Sequence, residues 1–472
     1  MVINQIKYVR GDEMNSKIKK GLLRTILSLS IIFSLLIISV TPILAQEIPT
    51  PDISPWARVT LNEGERYGIY TGDWYYEGFR EEISEERLEL LLTNTANKIE
   101  ALGLDRKEDF TPIASKGDRS REDVIIRLYN ILAQYELEVG NSPIEYMQER
   151  NILKGKGSGL NLDHICTTEQ AIVFATRLIE DTYNLLGAGA KGLAWKVEHN
   201  GNTIYLLGSI HVGNSHIYPL NHKLKEAFYQ SDVLFVEANI LNMEGQIDDF
   251  IDLIAYQDGT LLKDHISEET YEKLSNLVES YGMPMEFLEE LKPWAIAITL
   301  ETLSMADAGN LDENLPSAGL GVDLYFMSHA QLMGMPIYEL EGIGYQVELF
   351  DSLSPEYQDE YLSKVLDNIL NSSDNHLASI ELIEEWLNQW KDGDIEGFTK
   401  SYLENAIGED DEITNMLFGE RDKYMAERIV ELLESDEKAT YFIVVGAGHF
   451  VTPDTIIYQL RDKGYNVEVF DY

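Results

Sequence analysis

The chain of 472 residues contains a single cysteine and few basic residues. Because Cys166 has no second thiol to pair with, the chain forms no internal disulfide and no thiolate cluster for zinc or iron–sulfur. Any metal must therefore be held by histidines and carboxylates. Lys and Arg number 37 against 81 Asp and Glu, a net charge of −44. Such a surplus of negative charge repels phosphate backbones and argues against nucleic-acid binding.

Apolar residues, in contrast, are plentiful. They make up 44% of the chain and are spread along its whole length, which excludes a simple disordered acidic tail. A chain of this length is expected to form two or three domains, each able to bury a core.

Residues 1–45 have the order of a secretory signal. Basic residues from Lys17 to Arg24 precede an apolar run over 25–40 and the small residue Ala45. Met14 is a possible true start. The apolar run of about 16 residues is shorter than the roughly 20 of a membrane-spanning helix, and both a cleaved signal and an N-terminal membrane anchor stay open. We expect a secreted or cell-surface protein.

Residues 51–185 are predicted to form an all-α domain of small repeated modules. Three stretches place Ser84, Ser120 or Thr167 ahead of acidic residues and an apolar run at helical spacing. This is the pattern of an N-cap followed by acids near the positive end of the helix dipole. Repetition of one pattern at this scale favours helical modules stacked on one another.

These stretches resemble S-layer homology modules. The segments 54–69 and 142–155 fit the first half of that pattern, and Arg121 matches its polymer-contacting arginine. Glu85 and Thr168 stand at the corresponding positions of the other two stretches. The resemblance implies noncovalent attachment to a cell-wall polymer. The alternative is a helical domain that packs on its neighbour without binding the wall.

The region 192–472 is predicted to be an α/β domain with a mainly buried sheet. It opens with two strand-like runs around Asn200 and Gly201, a strong hairpin signal. The second run leads into Gly208 and His211, three residues later. The apolar run 441–445 leads in the same way into a Gly-x-x-His turn near the end of the chain.

The two Gly-x-x-His turns are expected to converge, because ligands bind at the carboxyl ends of strands in α/β sheets. They end in His211 and His449, and a buried strand between them in sequence ends in Glu237. Neutral imidazole is the commonest metal ligand, and a carboxylate would complete the site.

The region 192–472 also resembles the TraB/GumN family, to which the Tiki metalloproteases are related. Two positions depart from the family's pattern: Ser209 replaces Thr, and Asp422 replaces Asn. The matching segments are Gly208-Ser209-Ile210-His211-Val212, Glu237, Gly321-Val322-Asp323, Leu340-Glu341 with Gln346, Glu420-Arg421-Asp422 and Val445-Gly446-Ala447-Gly448-His449.

The resemblance implies a metal-dependent hydrolase that acts on peptides. His211, Glu237 and His449 would hold a divalent ion, with manganese, cobalt or zinc as candidates, since oxygen and nitrogen ligands select weakly among them. Supporting positions would be Gly208, Asp323, Gly446 and Gly448. A non-catalytic protein that sequesters a peptide or small ligand at the same place is the alternative.

Two further residues are candidates for the chemistry. Glu341 would be the base that activates water, and Arg421 would steady an oxyanion or clamp a carboxylate. In the structural alternative, Glu341 hydrogen-bonds a helix N-terminus, and Arg421 neutralises Glu237 or Asp323.

A helical insert is predicted between the family motifs, as a lid or as an outer layer of the sheet. Trp294, Trp386 and Trp390 are expected in the core rather than on a substrate platform. The segments with helical spacing are 247–259, 268–281, 285–303 and 355–391.

Overall fold

The computed structural model describes residues 51–155, 159–241, 247–301, 316–370, 374–405 and 412–472. The predicted signal at 1–45 lies outside these ranges. None of the helices within them is both long enough and apolar enough to cross a membrane. The chain divides into two compact units. Of the described residues, one unit contains 51–190 together with Ser215–Lys225, and the other contains Lys191–Asn214 and the residues from Glu226 onward.

The first unit is helical. Its predicted caps are confirmed, because Ser84, Ser120 and Thr167 each accept a hydrogen bond from the backbone N–H three residues on. The relation of the helices to repeated modules stays a prediction. The helices are α1 (Arg58–Arg66), α2 (Glu85–Glu100), α3 (Arg121–Ala133), α4 (Pro143–Glu149) and α5 (Thr168–Leu185).

Arg121 lies in the interior of this helical unit. Its guanidinium donates to the carbonyl oxygens of Leu160 at 2.9 Å and Lys154 at 3.0 Å, and to Oε1 of Gln170 at 2.9 Å. The guanidinium also lies 4.9 Å from the centre of the Phe174 ring. These contacts bind Arg121 to its own domain. Contact with a wall polymer stays a prediction.

The second unit is built around one six-stranded mixed sheet, which confirms the α/β prediction. β1 runs antiparallel to its neighbours β2 and β6, whereas β4, β3, β5 and β2 are parallel to one another. The sheet order is β4-β3-β5-β2-β1-β6. The strands are β1 (Leu193–His199), β2 (Asn202–Ser209), β3 (Val233–Val236), β4 (Ile337–Glu339), β5 (Thr440–Gly446) and β6 (Val467–Val469).

The predicted hairpin joins β1 to β2. Asn200 and Gly201 have φ values of 51° and 84°, the two positive values that a two-residue type I′ turn requires. The turn sets the register in which His199 lies opposite Asn202 and Leu193 opposite Gly208. This pairing carries β2 directly to the first Gly-x-x-His turn.

Helices pack around the sheet. Phe442 of β5 contacts two of these helices. Its ring centre lies 5.4 Å from that of Phe228 and 4.9 Å from that of Phe326. A nearly continuous apolar run such as β5 is typical of a parallel strand covered on both faces. The helices are α6 (His222–Tyr229), α7 (Ile247–Ile254), α8 (Glu268–Ser280), α9 (Val322–Met333), α10 (Ile343–Asp351), α11 (Pro355–Leu370), α12 (Asp374–Asp392), α13 (Ile395–Asn405), α14 (Glu412–Leu417), α15 (Glu420–Glu434), α16 (Gly448–Val451) and α17 (Ile456–Asp462).

The predicted helical segments of the insert are mostly helical where they are described, with three differences from the prediction. The segment 247–259 is helical only over Ile247–Ile254. The stretch 355–391 forms two helices, α11 and α12, and 285–303 begins with a short 3-10 turn at Met285–Phe287 before residues 293–301 become helical. The predicted core residues Trp294, Trp386 and Trp390 are fully buried. The indole N–H of Trp390 donates to the carbonyl oxygen of Gly208 at 2.6 Å, which fixes α12 to the end of β2.

Candidate functional site

The carboxyl ends of three neighbouring strands form the candidate site. In the parallel register Ser209 of β2 lies opposite Gly446 of β5, and Val236 of β3 lies opposite Val444 of the same strand. His211 follows β2, and Glu237 follows β3 directly. Because parallel strands end at one edge, the sheet brings both side chains to the turn that follows β5.

His211, Glu237 and His449 converge on the space beside Gly446. A Cβ atom built on Gly446 would lie 3.3 Å from Nε2 of His211, 3.3 Å from Oε1 of Glu237 and 3.8 Å from Cδ2 of His449. The three side chains are only 4, 2 and 4% exposed, respectively. A side chain at position 446 would therefore fill the centre of the site, so glycine keeps this space open.

His449 is oriented by a buried carboxylate. It lies in α16, and its Nδ1 is 2.9 Å from Oδ1 of Asp422. The second oxygen of Asp422 accepts a hydrogen bond of 2.9 Å from the backbone N–H of Gly419, ahead of α15. Asp422 is fully buried. The Nε2 side of the His449 ring is left for the space beside Gly446.

His211 has a second carboxylate beside it. Its Nδ1 lies 3.1 Å from Oδ2 of Asp323, in the first turn of α9. The contact is poorly aligned, because neither Nδ1 of His211 nor Oδ1 of Asp323 has a well-formed hydrogen bond among the described residues. Burial lowers the pKa of His211, but the charges of Asp323 and Glu237 outweigh it and raise the pKa above its ordinary value.

The Gly-Val-Asp segment has a steric explanation. A Cβ atom on Gly321 would overlap the carbonyl oxygen of His211, so only glycine allows α9 to start this close to the first Gly-x-x-His turn. The next residue, Val322, is fully buried, and its backbone N–H donates to the carbonyl oxygen of Ile210 at 3.0 Å. These two contacts place Asp323 against the imidazole of His211.

Glu237 is held as a carboxylate by donors on both oxygens. Oε1 accepts a bond of 2.6 Å from the N–H of Gly446, and Oε2 accepts from Nη2 of Arg421 at 3.1 Å and from Nε2 of Gln346 at 3.3 Å. Burial raises the pKa of Glu237, but His449, Arg421 and His211 outweigh it and hold the pKa below its usual value. The carboxylate is therefore ionised at neutral pH.

Arg421 and Glu341 form a buried bidentate ion pair. Nε of Arg421 lies 2.9 Å from Oε1 of Glu341, and Nη2 lies 2.7 Å from Oε2. Burial lowers the pKa of Arg421, but the Glu341 and Glu237 carboxylates outweigh it and raise the pKa above its ordinary value. Arg421 thus neutralises both glutamates. This geometry matches the structural alternative for Arg421.

Two supporting glycines lie where chain segments approach one another closely. A Cβ atom on Gly208 would be 3.1 Å from Cα of Ala447, so glycine lets the ends of β2 and β5 come together. A Cβ atom on Gly448 would overlap the hydroxyl of Tyr402 in α13. Both positions control packing of the two Gly-x-x-His turns and supply no side chain to the site.

The site residues fit a metal ion in their donor chemistry, but their geometry is not that of a ready-made ion site. Among the described residues, no three His, Cys, Asp or Glu side chains have the geometry of a ready-made ion site. The donor chemistry nevertheless fits, because two imidazoles have Nδ1 beside a carboxylate and Nε2 available, and such outer carboxylates accompany most metal-binding histidines. Glu237 would share its oxygens between the ion, Gly446 and Arg421.

Asp422 is the functional residue that sequence reasoning missed. The sequence motifs mark it only as a replacement for the family's asparagine and predict no contact for it. Its place three residues after Gly419, in the first turn of α15, is a capping signal visible in the sequence. The capping signal accounts for the oxygen that accepts a hydrogen bond from the backbone N–H of Gly419. The contact of the other oxygen with His449 depends on the sheet order, which the sequence pattern did not specify.

The comparison with known families covers the region that contains this site. A model of the TraB/PrgY/gumN family matches residues 193–469, more than half of the chain. The chain belongs to this family. The resemblance predicted from the sequence motifs is therefore confirmed. The matched range of the TraB/PrgY/gumN family leaves out residues 51–185, whose resemblance to S-layer homology modules stays a prediction.

Individual relatives of this TraB/PrgY/gumN member are distant. An uncharacterized protein of Escherichia coli, YbaP, is 26% identical over 184 residues, covering 39% of this chain and 64% of YbaP. Metalloprotease TIKI2 of Xenopus tropicalis is 23% identical over 306 residues, covering 56% of this chain and 57% of TIKI2. Metalloprotease TIKI1 of Danio rerio is 21% identical over 308 residues, covering 56% of this chain and 60% of TIKI1.

The chain spans less than two thirds of the length of each of these curated relatives. No solved structure matches it significantly.

Arg421→Ala is expected to lower the free energy of unfolding by about 3–5 kcal/mol, because it leaves two buried carboxylates without their counter-charge. Arg428→Ala is the matched control, since Arg428 lies on the same helix in an exposed pair with Glu431 and is expected to cost less than about 1 kcal/mol. Urea unfolding of both variants measures the difference. Similar losses in the two variants would contradict the shared role assigned to Arg421.

The stability contributed by Glu237 is expected to disappear in acid. Its pKa in the folded chain is below the ordinary value of 4.5, so its contribution is complete above the unfolded pKa and is lost as the pH falls through the folded one. Urea unfolding of chelator-treated wild type and Glu237→Gln between pH 7 and pH 3 measures this. The gap between the two proteins should shrink on acidification, and a constant or growing gap would refute the assignment.

Proposed function

We propose that this chain is a metal-dependent hydrolase of amide or ester bonds, with peptides as the foremost substrate class. The observation that carries the proposal is the convergence of His211, Glu237 and His449 beside Gly446, with a carboxylate next to Nδ1 of each imidazole. The names of the TIKI relatives, both metalloproteases, support the same class of reaction.

The two Nε2 atoms and Glu237 would hold one divalent ion, with manganese, cobalt or zinc as candidates. When bound, such an ion supplies Lewis-acid polarisation of a carbonyl and lowers the pKa of water. Asp323 and Asp422 hold the imidazoles in place. The near-complete burial of the three side chains keeps bulk water from the site and strengthens its electrostatic interactions.

Glu341 and Arg421 have linked roles in the proposal. Glu341 is the candidate proton acceptor, but both of its oxygens accept hydrogen bonds from Arg421 in this structure. Proton transfer to Glu341 would therefore compete with this ion pair for the negative charge of the carboxylate. While the pair is closed, Glu341 orients Arg421, and Arg421 holds Glu237 in its charged form. A substrate carboxylate or an oxyanion would compete with Glu341 for the same guanidinium.

A non-catalytic binding protein is the second candidate. The closed Arg421–Glu341 pair favours it, because this pair already engages both oxygens of the candidate base. Such a protein would retain a peptide or a small ligand at the same strand ends without turnover.

The hydrolase proposal predicts that the purified protein contains, or takes up, a divalent ion and cleaves members of a peptide library. A chelator should abolish cleavage, and manganese, cobalt or zinc should restore it. His211→Ala and His449→Ala should each reduce cleavage by at least about 100-fold, because each removes a metal ligand. The control is His199→Ala. His199 ends β1 opposite the first residue of β2, at the edge of the sheet away from the site, so this change should leave cleavage unchanged.

Metal content by mass spectrometry and cleavage by chromatography are the measurements. No metal at purification and no response to any of the three ions would refute the hydrolase proposal. Tight retention of a peptide without turnover would support the binding protein instead.

We also propose that the protein is exported and held at the cell wall. The signal-like order of residues 1–45 supports export, and the resemblance of residues 51–185 to S-layer homology modules supports wall attachment. The catalytic region would then act on substrates outside the cytoplasm.

Wall attachment predicts that the full chain sediments with purified cell walls and that Arg121→Ala weakens this retention. Because Arg121 is buried, thermal unfolding of the variant must be measured alongside, with the exposed Arg80→Ala as control. Weaker retention at an unchanged unfolding midpoint indicates a polymer contact, whereas weaker retention with a lowered midpoint indicates a loss of fold. Equal retention of isolated residues 190–472 would contradict an anchor in the first unit.

A further inference from the structure

The two oxygens of Asp422 serve different partners. Oδ2 accepts from the backbone N–H of Gly419, and Oδ1 lies at the same distance of 2.9 Å from Nδ1 of His449. A backbone N–H only donates, so Oδ2 must be an acceptor. The side chain is fully buried, and solvent therefore offers it no substitute partner.

Asp422 lies beside two sources of positive charge. It lies in the first turn of α15, a helix of 15 residues whose N-terminus carries the positive end of the helix dipole. The guanidinium of Arg421 interacts electrostatically with the same carboxylate. A carboxylate in such surroundings accepts hydrogen bonds on both oxygens, so the proton between Oδ1 and the ring belongs to Nδ1 of His449.

We propose that Asp422 selects the tautomer of His449. With the proton on Nδ1, a neutral His449 ring carries its lone pair on Nε2, the atom bonded to the ring carbon that lies beside Gly446. The use of that lone pair as a metal ligand depends on the proposed function. The tautomer itself does not, because it follows from the hydrogen-bond partners of Asp422.

An asparagine at position 422 would reverse the tautomer. It has one acceptor oxygen, which the N–H of Gly419 requires, and its amide N–H then points toward Nδ1 of His449. To accept that hydrogen bond, the ring must move its proton to Nε2. Asp422→Asn is thus nearly the same size as the native residue and leaves the helix cap intact, but removes the lone pair beside Gly446.

Asp323 provides a matched control at the other histidine. It also lies beside an imidazole Nδ1, but its second oxygen has no hydrogen-bond partner among the described residues. An asparagine there can turn its oxygen toward His211 without breaking a cap. Asp323→Asn therefore removes the same charge without forcing the proton of His211 onto the other ring nitrogen.

The test measures which ring nitrogen carries the proton in each histidine. It uses the full-length, chelator-treated protein labelled with ¹⁵N-histidine. Two-bond ¹H–¹⁵N spectra at about pH 8.5 distinguish the two neutral tautomers, and His449→Ala and His211→Ala assign the signals. His449 should carry its proton on Nδ1 in wild type and on Nε2 in Asp422→Asn. His211 should be unchanged in Asp323→Asn. A wild-type His449 protonated on Nε2 would overturn the proposal without any variant, as would an unchanged tautomer in a folded Asp422→Asn.

Equilibrium dialysis with manganese, cobalt and zinc connects the tautomer to binding. Asp422→Asn should weaken affinity by about 10–100-fold relative to wild type, as loss of an orienting carboxylate does at metal sites. Equal affinity of wild type and variant for the ions would contradict a role of Asp422 in preparing His449 to bind metal. If wild type binds none of the three ions, the proposed function fails, and the spectra still decide the tautomer proposal.

Discussion

The arrangement of the site depends on one buried guanidinium that serves two carboxylates. Arg421 reaches from the first turn of α15 to Glu341, which follows β4, and to Glu237, which follows β3. It therefore ties three segments of the chain together at one edge of the sheet. Without this charge, burial would raise the pKa of Glu237 and favour its neutral form, which would no longer complement the two imidazoles.

The second constraint is the direction of the two histidines. Each Gly-x-x-His turn delivers an imidazole to the edge, but a turn alone does not fix which nitrogen faces the centre. Asp323 from α9 and Asp422 from α15 supply that information from two helices that pack against the sheet. The two pairs differ, because Asp422 has a partner for each oxygen whereas the contact of Asp323 with its imidazole is poorly aligned. His449 accordingly has the better-formed contact with its orienting carboxylate.

Much of this could be predicted from local sequence patterns. The hairpin at Asn200 and Gly201 follows from the positive φ values that this turn type requires, and the caps at Ser84 and Ser120 follow from helix-start chemistry. The repeated apolar strand with Gly-x-x-His indicated two histidines at one edge. Each of these signals lies within about ten residues of the chain, and such local patterns can be recognised in a single sequence.

The partners of the charged side chains could not be predicted in the same way. Arg421 and Glu341 are separated by 80 residues, and their contact depends on the order in which β3, β4 and β5 pair. A pattern of motifs does not encode this order. Arg121 shows the same limit, because its contacts with Leu160, Gln170 and the Phe174 ring join segments that are distant from one another in the chain.

Anomalous diffraction from crystals of the full-length protein grown with manganese, cobalt or zinc tests the central claim most directly, since it locates an ion independently of activity. The account predicts one strong peak beside Gly446, in contact with Nε2 of both His211 and His449 and with an oxygen of Glu237. A strand edge without any peak, or peaks confined to the acidic surface, would contradict it.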